Sequence, residues 1–443
     1  AHMSGNEMRY IQEAFDTNWV VPLGPNVNGF EDDLKRFVTS SSSSNKDEAS
    51  HRNEKYPQTI LPHENNPESL WRESIKGLED KHVVALCSGT AAVHLALIAL
   101  GVEAGDEVIC QSFTFCASSH PVTYQGAKPV FVDSEKETWN MDPVLLEEAI
   151  KDRIAKTGKK PKAIIVVYLY GMPAKIKEIL AVADRYGIPV VEDAAEGLGS
   201  RYDGQVCGTF GEYGVLSFNG NKMITTSGGG ALICPNEAAR NDVMFYATQA
   251  REGYPYYQHE KIGYNYRMSN VCAGIGRGQM TVLDEHIAHH RHIAHLYAEA
   301  FKKIEGIDFH ANPSSEYDSN YWLNTITIDP SIKVRAQENA YKTTVKGAVG
   351  GAAGVIHAVD SAHTDCEPNT NVEAMRVFLD KANIESRPLL KPMHKQPCYK
   401  DCPAYLNGVS ESLFSKGMCL PSGPLVTDDD VRYIVETIQA AIE

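Results

Sequence analysis

Three consecutive segments decide the fold: Ala163-Ile164-Ile165-Val166-Val167-Tyr168-Leu169-Tyr170, then Ile176 to Tyr186, then Pro189-Val190-Val191-Glu192-Asp193. The first and last are short runs, apolar at successive rather than alternate positions. A strand made of either is buried on both faces. The middle segment reads as a helix. Strand, helix and strand in this order predict a mostly parallel sheet covered by helices on both sides.

The same alternation continues outward. Val83–Cys87 precedes a helix through Leu95–Leu100. Glu107–Gln111 precedes another helix start, and Pro129–Asp133 a helix around Leu145–Ile150. Gly214–Asn219 and Gly229–Cys234 add two strands with little between them. Ser269 is a helix-capping candidate, and the pattern after it predicts one long helix past Met280, Val282, Leu283 and Ile287 toward Phe301. Beyond residue 306 the pattern changes. Tyr321–Ile328 alternates like a half-buried strand. A helix over Val372–Ala382, a short strand over Glu385–Leu390 and a helix over Asp428–Ile442 follow, the last opening on Asp428-Asp429-Asp430, where the helix dipole favours negative charge. The predicted organisation has an N-terminal helix, loop and helix over 1–38, where paired Pro and Gly make Asn18–Asn26 irregular. A polar, serine-rich insertion over 39–80 follows. A large α/β domain spans 81–305, and a smaller α+β domain spans 306–443 with a loose insertion over 332–369.

Composition bounds the function. The 443 residues carry 42 Lys and Arg against 57 Asp and Glu, a net charge of -15. That acidity argues against a general nucleic-acid or anionic-membrane binder. No apolar stretch approaches the ~20 residues of a membrane helix. The first residues, Ala1-His2-Met3, look like a tag remnant with no signal peptide behind them. The 10 cysteines form no Cys-x-x-Cys pair and read as reduced thiols of a cytoplasmic protein. His394, Cys398 and Cys402 have metal-like spacing, but a loop with incidental cysteines is the simpler reading, so no metal is expected.

Four segments could carry chemistry. Cys87-Ser88-Gly89-Thr90-Ala91-Ala92 lies between strand and helix, where glycine admits a ligand and free N–H groups favour an anion. Its plainer reading is a tight turn with Thr90 as cap. Asp193 ends a strand at the carboxyl edge of the sheet, where ligands sit in open α/β folds; it could equally cap a helix. Lys222, in Ser217-Phe218-Asn219-Gly220-Asn221-Lys222, is hemmed in by small and apolar residues. A desolvated lysine has a lowered pKa and a nucleophilic amine; a solvated turn lysine is the alternative. Gly263-Tyr264-Asn265-Tyr266-Arg267-Met268-Ser269-Asn270 is either a contact surface or a packed loop. No Gly-x-Gly-x-x-Gly follows the first strand, which counts against a nicotinamide-binding enzyme.

Taken together and in this order, these segments, with Glu192-Asp193-Ala194-Ala195-Glu196 and the run Thr225-Thr226-Ser227-Gly228-Gly229-Gly230 after Lys222, resemble the pyridoxal-phosphate-dependent nucleotide-sugar aminotransferases of the DegT/StrS type. The resemblance implies the aspartate-aminotransferase fold (fold type I). It implies that Lys222 forms the internal aldimine with pyridoxal 5'-phosphate and then shuttles a proton, and that Asp193 keeps the ring nitrogen protonated. Ser88, Gly89, Thr90 and Ser217 would hold the phosphate. Asn265 would reach it from the other subunit of a homodimer. An aromatic of Phe113-Thr114-Phe115, Phe115 by preference, would stack on the ring, with Glu196 and Asn219 close by. Asn18, Trp19, Asn26, Tyr168, Arg251, Arg267 and Lys391 become candidate substrate contacts.

The segments Thr17-Asn18-Trp19-Val20, Pro22-Leu23-Gly24-Pro25-Asn26, Gly171-Met172-Pro173-Ala174 and Arg387 through His394 look most like C4-aminotransferases acting on UDP-2-acetamido-4-keto-2,6-dideoxyhexoses, as in bacillosamine biosynthesis. L-glutamate would be the amino donor, with ping-pong kinetics. A C3-aminotransferase on a dTDP- or UDP-linked 3-keto sugar is the same-fold alternative, and a non-catalytic cofactor-binding sensor the alternative of another class. Relatives that dehydrate sugars carry histidine at the position of Lys222, so the lysine implies transamination. Tyr168 departs from the pattern, standing where many relatives have histidine.

Overall fold

The computed structural model describes residues 2–40, 77–340 and 366–443. Most of the two insertions expected at 39–80 and 332–369 lies outside these described residues. The N-terminal helices are α1 (Glu7–Asp16) and α2 (Pro25–Thr39). The sheet region follows as β1 (His82–Leu86), α3 (Gly89–Ala99), β2 (Glu107–Gln111), α4 (His120–Tyr124), β3 (Lys128–Val132) and α5 (Pro143–Thr157). It continues with β4 (Ala163–Val167), α6 (Ile176–Tyr186), β5 (Val190–Asp193), β6 (Arg201–Tyr202), β7 (Gln205–Val206), β8 (Tyr213–Ser217) and β9 (Gly230–Cys234). Helices α7 (Glu237–Ala247), α8 (Asn270–Met280) and α9 (Leu283–Phe301) lead to β10 (Ile307–Phe309), β11 (Tyr317–Asp318) and β12 (Asn324–Ile328). The chain closes with α10 (Thr370–Lys381), β13 (Arg387–Pro388), β14 (Ala404–Tyr405), α11 (Val409–Lys416), β15 (Gly417–Leu420) and α12 (Asp428–Ala441).

The large sheet has eight strands in the order β1-β9-β8-β5-β4-β2-β3-β14. Strand β9 pairs antiparallel with both β1 and β8; every other neighbouring pair is parallel. Successive side chains of the central strands enter two different cores. Ile109, Ile164, Val166 and Val190 pack with α2, α5, α6 and α8 residues such as Phe30, Leu146, Ile179 and Ala273. Val108, Cys110, Ile165 and Val191 pack with α3 and α7 residues such as Leu95 and Val243. Both faces being covered is why these strands carry no polar alternation. A four-stranded antiparallel sheet, β10-β12-β15-β13, forms a third core with α9, α10 and α12. The short β11, β6 and β7 make a separate three-stranded sheet.

Several expectations need correction. The long helix after Ser269 is two helices broken at Thr281 and Val282. Ser269 does cap the first, its Oγ accepting from Cys272 N. Between β9 and that cap lies α7, which the sequence reading left out. Helix α2 begins at Pro25, inside the stretch expected to be irregular, because proline at the first helical position is pre-set for a helix. Residues from the C-terminal region also return to the large sheet: β14 runs parallel to β3. The Asp133 carboxylate anchors that return, accepting from Asn407 N, Gly408 N and Ser410 N. Among the described residues no helix is long and apolar enough to cross a membrane.

Candidate active site

Parallel strands bring their carboxyl ends to one edge of a sheet, and here the candidate residues meet at that edge. Strand β5 ends on Asp193, β8 on Ser217, and β1 runs through Cys87 into Ser88 and α3. With Thr114, Phe115, Ser118 and Tyr170 they line a cleft of about 810 Å3. The ends of β13 and β15 and the approach to β12 form its opposite wall, through Trp322, Ser386, Arg387 and Ser422.

At one end of the cleft, Ser88 stands in extended conformation and caps α3, its Oγ accepting from Ala91 N at 3.0 Å. The cap is therefore Ser88, not Thr90. The first N–H groups of α3, at Gly89 and Thr90, have no acceptor within the helix and carry the positive end of its dipole. Glycines hold this end tight: a Cβ at Gly89 would lie 3.0 Å from the Ser217 Cβ, and one at Gly230 only 2.3 Å from Gly89 N. This is a cradle for a small anion.

Asp193 lies deeper, 4% exposed. Its Oδ2 accepts from Ser118 Oγ at 2.6 Å and its Oδ1 from Ala195 N at 3.1 Å. Burial raises its pKa, against the lowering effect of these hydrogen bonds and of the Lys222 charge. A buried carboxylate of this kind gains from a cationic partner.

Lys222 sits in the loop after β8, in a turn closed by Lys222 N donating to Asn219 O at 3.0 Å. Its Nζ lies 3.2 Å from Glu196 Oε1 and 4.2 Å from the centre of the Trp322 ring. Glu196 is fixed in turn, Oε2 accepting from Tyr170 N at 2.8 Å. The donor set fits pyridoxal phosphate: an anion cradle at one end, a buried acid that can face a ring nitrogen, and an amine within the same cleft. Exposed Phe115 lies on the wall, whereas Phe113 is fully buried in the core.

The structure thus gathers Ser88, Gly89, Thr90, Phe115, Asp193, Glu196, Ser217, Asn219 and Lys222 around one cavity. The other candidates do not line it. Asn26 is buried under α1, its Nδ2 donating to Tyr10 O at 2.9 Å. Tyr168 is fully buried, its hydroxyl donating to the Glu192 carboxylate beneath the sheet edge. The Arg267 guanidinium pairs with Glu31 at 2.6 Å and also donates to Ala85 O. Each of these three side chains has at least one polar atom paired inside the fold, away from the cavity lining. Arg251 is exposed with its guanidinium 4.1 Å over the Tyr257 ring. Asn265 is exposed and bridges to Thr248. Exposed Asn18 and Trp19 and half-buried Lys391 also stand outside the lining.

Sequence reasoning missed Ser118, Tyr170, Trp322 and Ser386. Tyr170, Trp322 and Ser386 fell inside runs read as strands, although the strands there begin only at Asn324 and Arg387, leaving Trp322 and Ser386 in the loops before them; Ser118 carried no local signal. His394, from the cysteine-bearing loop, is held between Ser112 Oγ at 2.6 Å and Glu411 at 3.0 Å.

Comparison with known proteins agrees with this geometry. The model of the DegT/DnrJ/EryC1/StrS aminotransferase family matches residues 65–358 and 355–439. EpsN of Bacillus subtilis, provisionally assigned as a pyridoxal phosphate-dependent aminotransferase, is 40% identical over 441 residues, covering 99% of this chain and 93% of its own. GDP-perosamine synthase of Escherichia coli O157:H7 is 30% identical over 439 residues, covering 98% of this chain and 95% of its own. In fold, the crystal structure of a DegT DnrJ EryC1 StrS aminotransferase from Brucella abortus superposes with a TM-score of 0.76 at 24% identity, over 98% of this chain and 95% of that one. The fold is thus that of type I pyridoxal-phosphate enzymes. The chain belongs to the DegT/DnrJ/EryC1/StrS family of pyridoxal-phosphate-dependent sugar aminotransferases.

Proposed function

We propose that this enzyme transfers the amino group of L-glutamate to the C4 keto carbon of a UDP-linked 2-acetamido-4-keto-6-deoxy sugar. One observation carries the reading: the Lys222 amine, paired with Glu196 at 3.2 Å, shares one cleft with the buried carboxyl of Asp193. The choice of C4 and UDP rests on the likeness of the Asn18–Asn26, Gly171–Ala174 and Arg387–His394 segments to C4-aminotransferases. A relative named for a GDP sugar makes GDP the competing nucleotide.

Pyridoxal phosphate, when bound, supplies an electron sink that makes a carbon-bound proton labile. The remaining roles fall to the chain. Ser88, Gly89, Thr90 and Ser217 hold the phosphate. Asp193 keeps the ring nitrogen protonated, and Phe115 covers the ring. Lys222 Nζ is the nucleophile that anchors the cofactor and the base that takes and returns the proton. Glu196 positions that nitrogen between transfers. Asn265 completes the phosphate site of a neighbouring subunit, so the working enzyme is a homodimer.

The test is spectroscopic. Glutamate added to the loaded protein should replace absorbance near ~410–430 nm by a band near ~330 nm. Adding a UDP-linked 4-keto sugar should reverse it faster than the GDP-linked or 3-keto compounds. A spectrum unmoved by glutamate overturns the reading. A faster reversal by a 3-keto or GDP-linked sugar overturns the C4 or UDP assignment alone.

A further inference from the structure

A lysine that is both nucleophile and proton carrier has a physical problem. Once free, its side chain has four rotatable bonds and open water nearby, yet it must return to one reacting carbon. In this structure the free amine already has a defined seat. Glu196 Oε1 lies 3.2 Å from Nζ, and the face of the Trp322 indole lies 4.2 Å from it on the other wall.

Trp322 is itself locked to both partners. Its Nε1 donates to the carbonyl of Asn221, the residue before Lys222, at 2.8 Å. Its backbone N–H donates to Asn320 Oδ1 at 2.8 Å, while Asn320 Nδ2 donates to Glu196 O at 2.8 Å and to Leu198 O at 2.9 Å. Between them Tyr321 adopts φ +48°, a left-handed conformation that a bulky residue keeps only when its surroundings enforce it. Gly171 makes the approach possible: a Cβ there would fall 1.9 Å from Asn320 Oδ1. One three-residue segment thus joins the loop carrying Lys222 to the segment carrying Glu196.

We propose that Trp322 is a positioning residue for Lys222, its indole face holding the free ammonium against Glu196 and releasing it when the amine is neutral. An aromatic face attracts a cation and not a neutral amine, so the seat is occupied only by the proton-loaded form. The inference rests on the role proposed above for Lys222.

Two variants separate the ring face from the N–H group. Trp322→Phe keeps an aromatic face and loses the hydrogen bond to Asn221; Trp322→Leu loses both. The first readout uses cofactor-free protein, treated with pyridoxal across a pH series, reduced with borohydride and mapped for label on Lys222. Losing the face removes stabilisation of the ammonium. Half-maximal labelling should therefore move down by about one pH unit in Trp322→Leu, and clearly less in Trp322→Phe. The second readout is the pH profile of the loaded enzyme. In Trp322→Leu its acid limb should move the same way and kcat fall about tenfold with KM for glutamate unchanged, with Trp322→Phe restoring most of both. Equal behaviour of the two variants, or no movement in either profile, overturns the inference. Failure of wild-type Lys222 to take any label overturns both the inference and the reading beneath it.

Discussion

Lys222 and Glu196 are both largely removed from water, with side chains 13% and 7% exposed. Desolvation offsets much of the attraction in such a pair, but removing one partner leaves a buried charge uncompensated, which costs more than breaking a surface ion pair. Glu196 has a second duty, since its other oxygen accepts from Tyr170 N, a residue at φ +57°. The variant Glu196→Gln keeps an acceptor for that N–H but loses the negative charge. It should still fold, at a cost in stability, and slow the glutamate half-reaction about 10- to 100-fold, measured as single-turnover loss of the loaded enzyme's absorbance band. An unchanged rate would remove Glu196 from the proton-handling machinery. Asp193 shows how burial sets chemistry at the same scale: desolvation favours its neutral form until a positive ring nitrogen arrives.

The anion cradle depends on two elements approaching more closely than side chains allow. Strand β9 comes against the start of α3 because Gly230 has no Cβ; one built there meets Gly89 N at 2.3 Å and Ser88 O at 2.6 Å, both backbone. Neither can step aside as a flexible side chain would. Gly230→Ala should cost about 2 kcal/mol or more and weaken cofactor binding, read from urea unfolding and from cofactor titration. Gly253→Ala is the control, because nothing lies within 4 Å of its added methyl. Helix α8 shows the same logic. Glycine is a poor helix residue, yet Gly276 and Gly278 let α2 and α1 pack close: added Cβ atoms would meet the Phe30 ring at 2.7 Å and Glu7 N at 2.7 Å.

Among the described residues, buried histidines make stability sensitive to acid. Burial lowers His310, His94 and His290 from 6.5 to about 4. His310 stacks on Trp139 with ring centres 3.7 Å apart and shares a hydrogen bond with Glu137 O at 3.2 Å. The unfolded chain takes up these protons first as pH falls, so stability drops between about 6.5 and about 4. Buried Glu192 and Asp193, raised by desolvation, oppose this, and a single variant isolates one histidine. In urea unfolding at both pH values, the acid-induced loss for His310→Gln should be smaller than for wild type by on the order of 1–3 kcal/mol. Equal losses would mean that this imidazole is protonated in the fold. The proposed homodimer has its own check. Mixing Lys222→Ala with Asn265→Ala subunits should restore about a quarter of wild-type activity, since half the dimers gain one intact site. No recovery after verified subunit exchange would place Asn265 outside the shared site.

How much was legible follows from the range of each interaction. Strand runs such as Ala163–Val167 and the helix over Ile176–Tyr186 were readable because periodicity is a local rule, and Asp193 because the sheet's carboxyl edge is a topological one. Ser88, Ser217 and Lys222 stood out only through the family resemblance of their segments taken in order; local capping pointed to Thr90, not Ser88. The helix break at Thr281 was hidden by an apolar pattern that runs through it. The alternating α/β plan follows from the chain's own pattern of apolar runs, whereas the interest of Lys222 came from the resemblance of its segment to a family. Folding settles which polar groups stay open to a ligand. Tyr168 and Arg267 are consumed by Glu192 and Glu31, while Ser118 and Trp322 reach Asp193 and Lys222 from distant parts of the chain. A side chain's partner is set by three-dimensional packing, and no spacing along the chain encodes it.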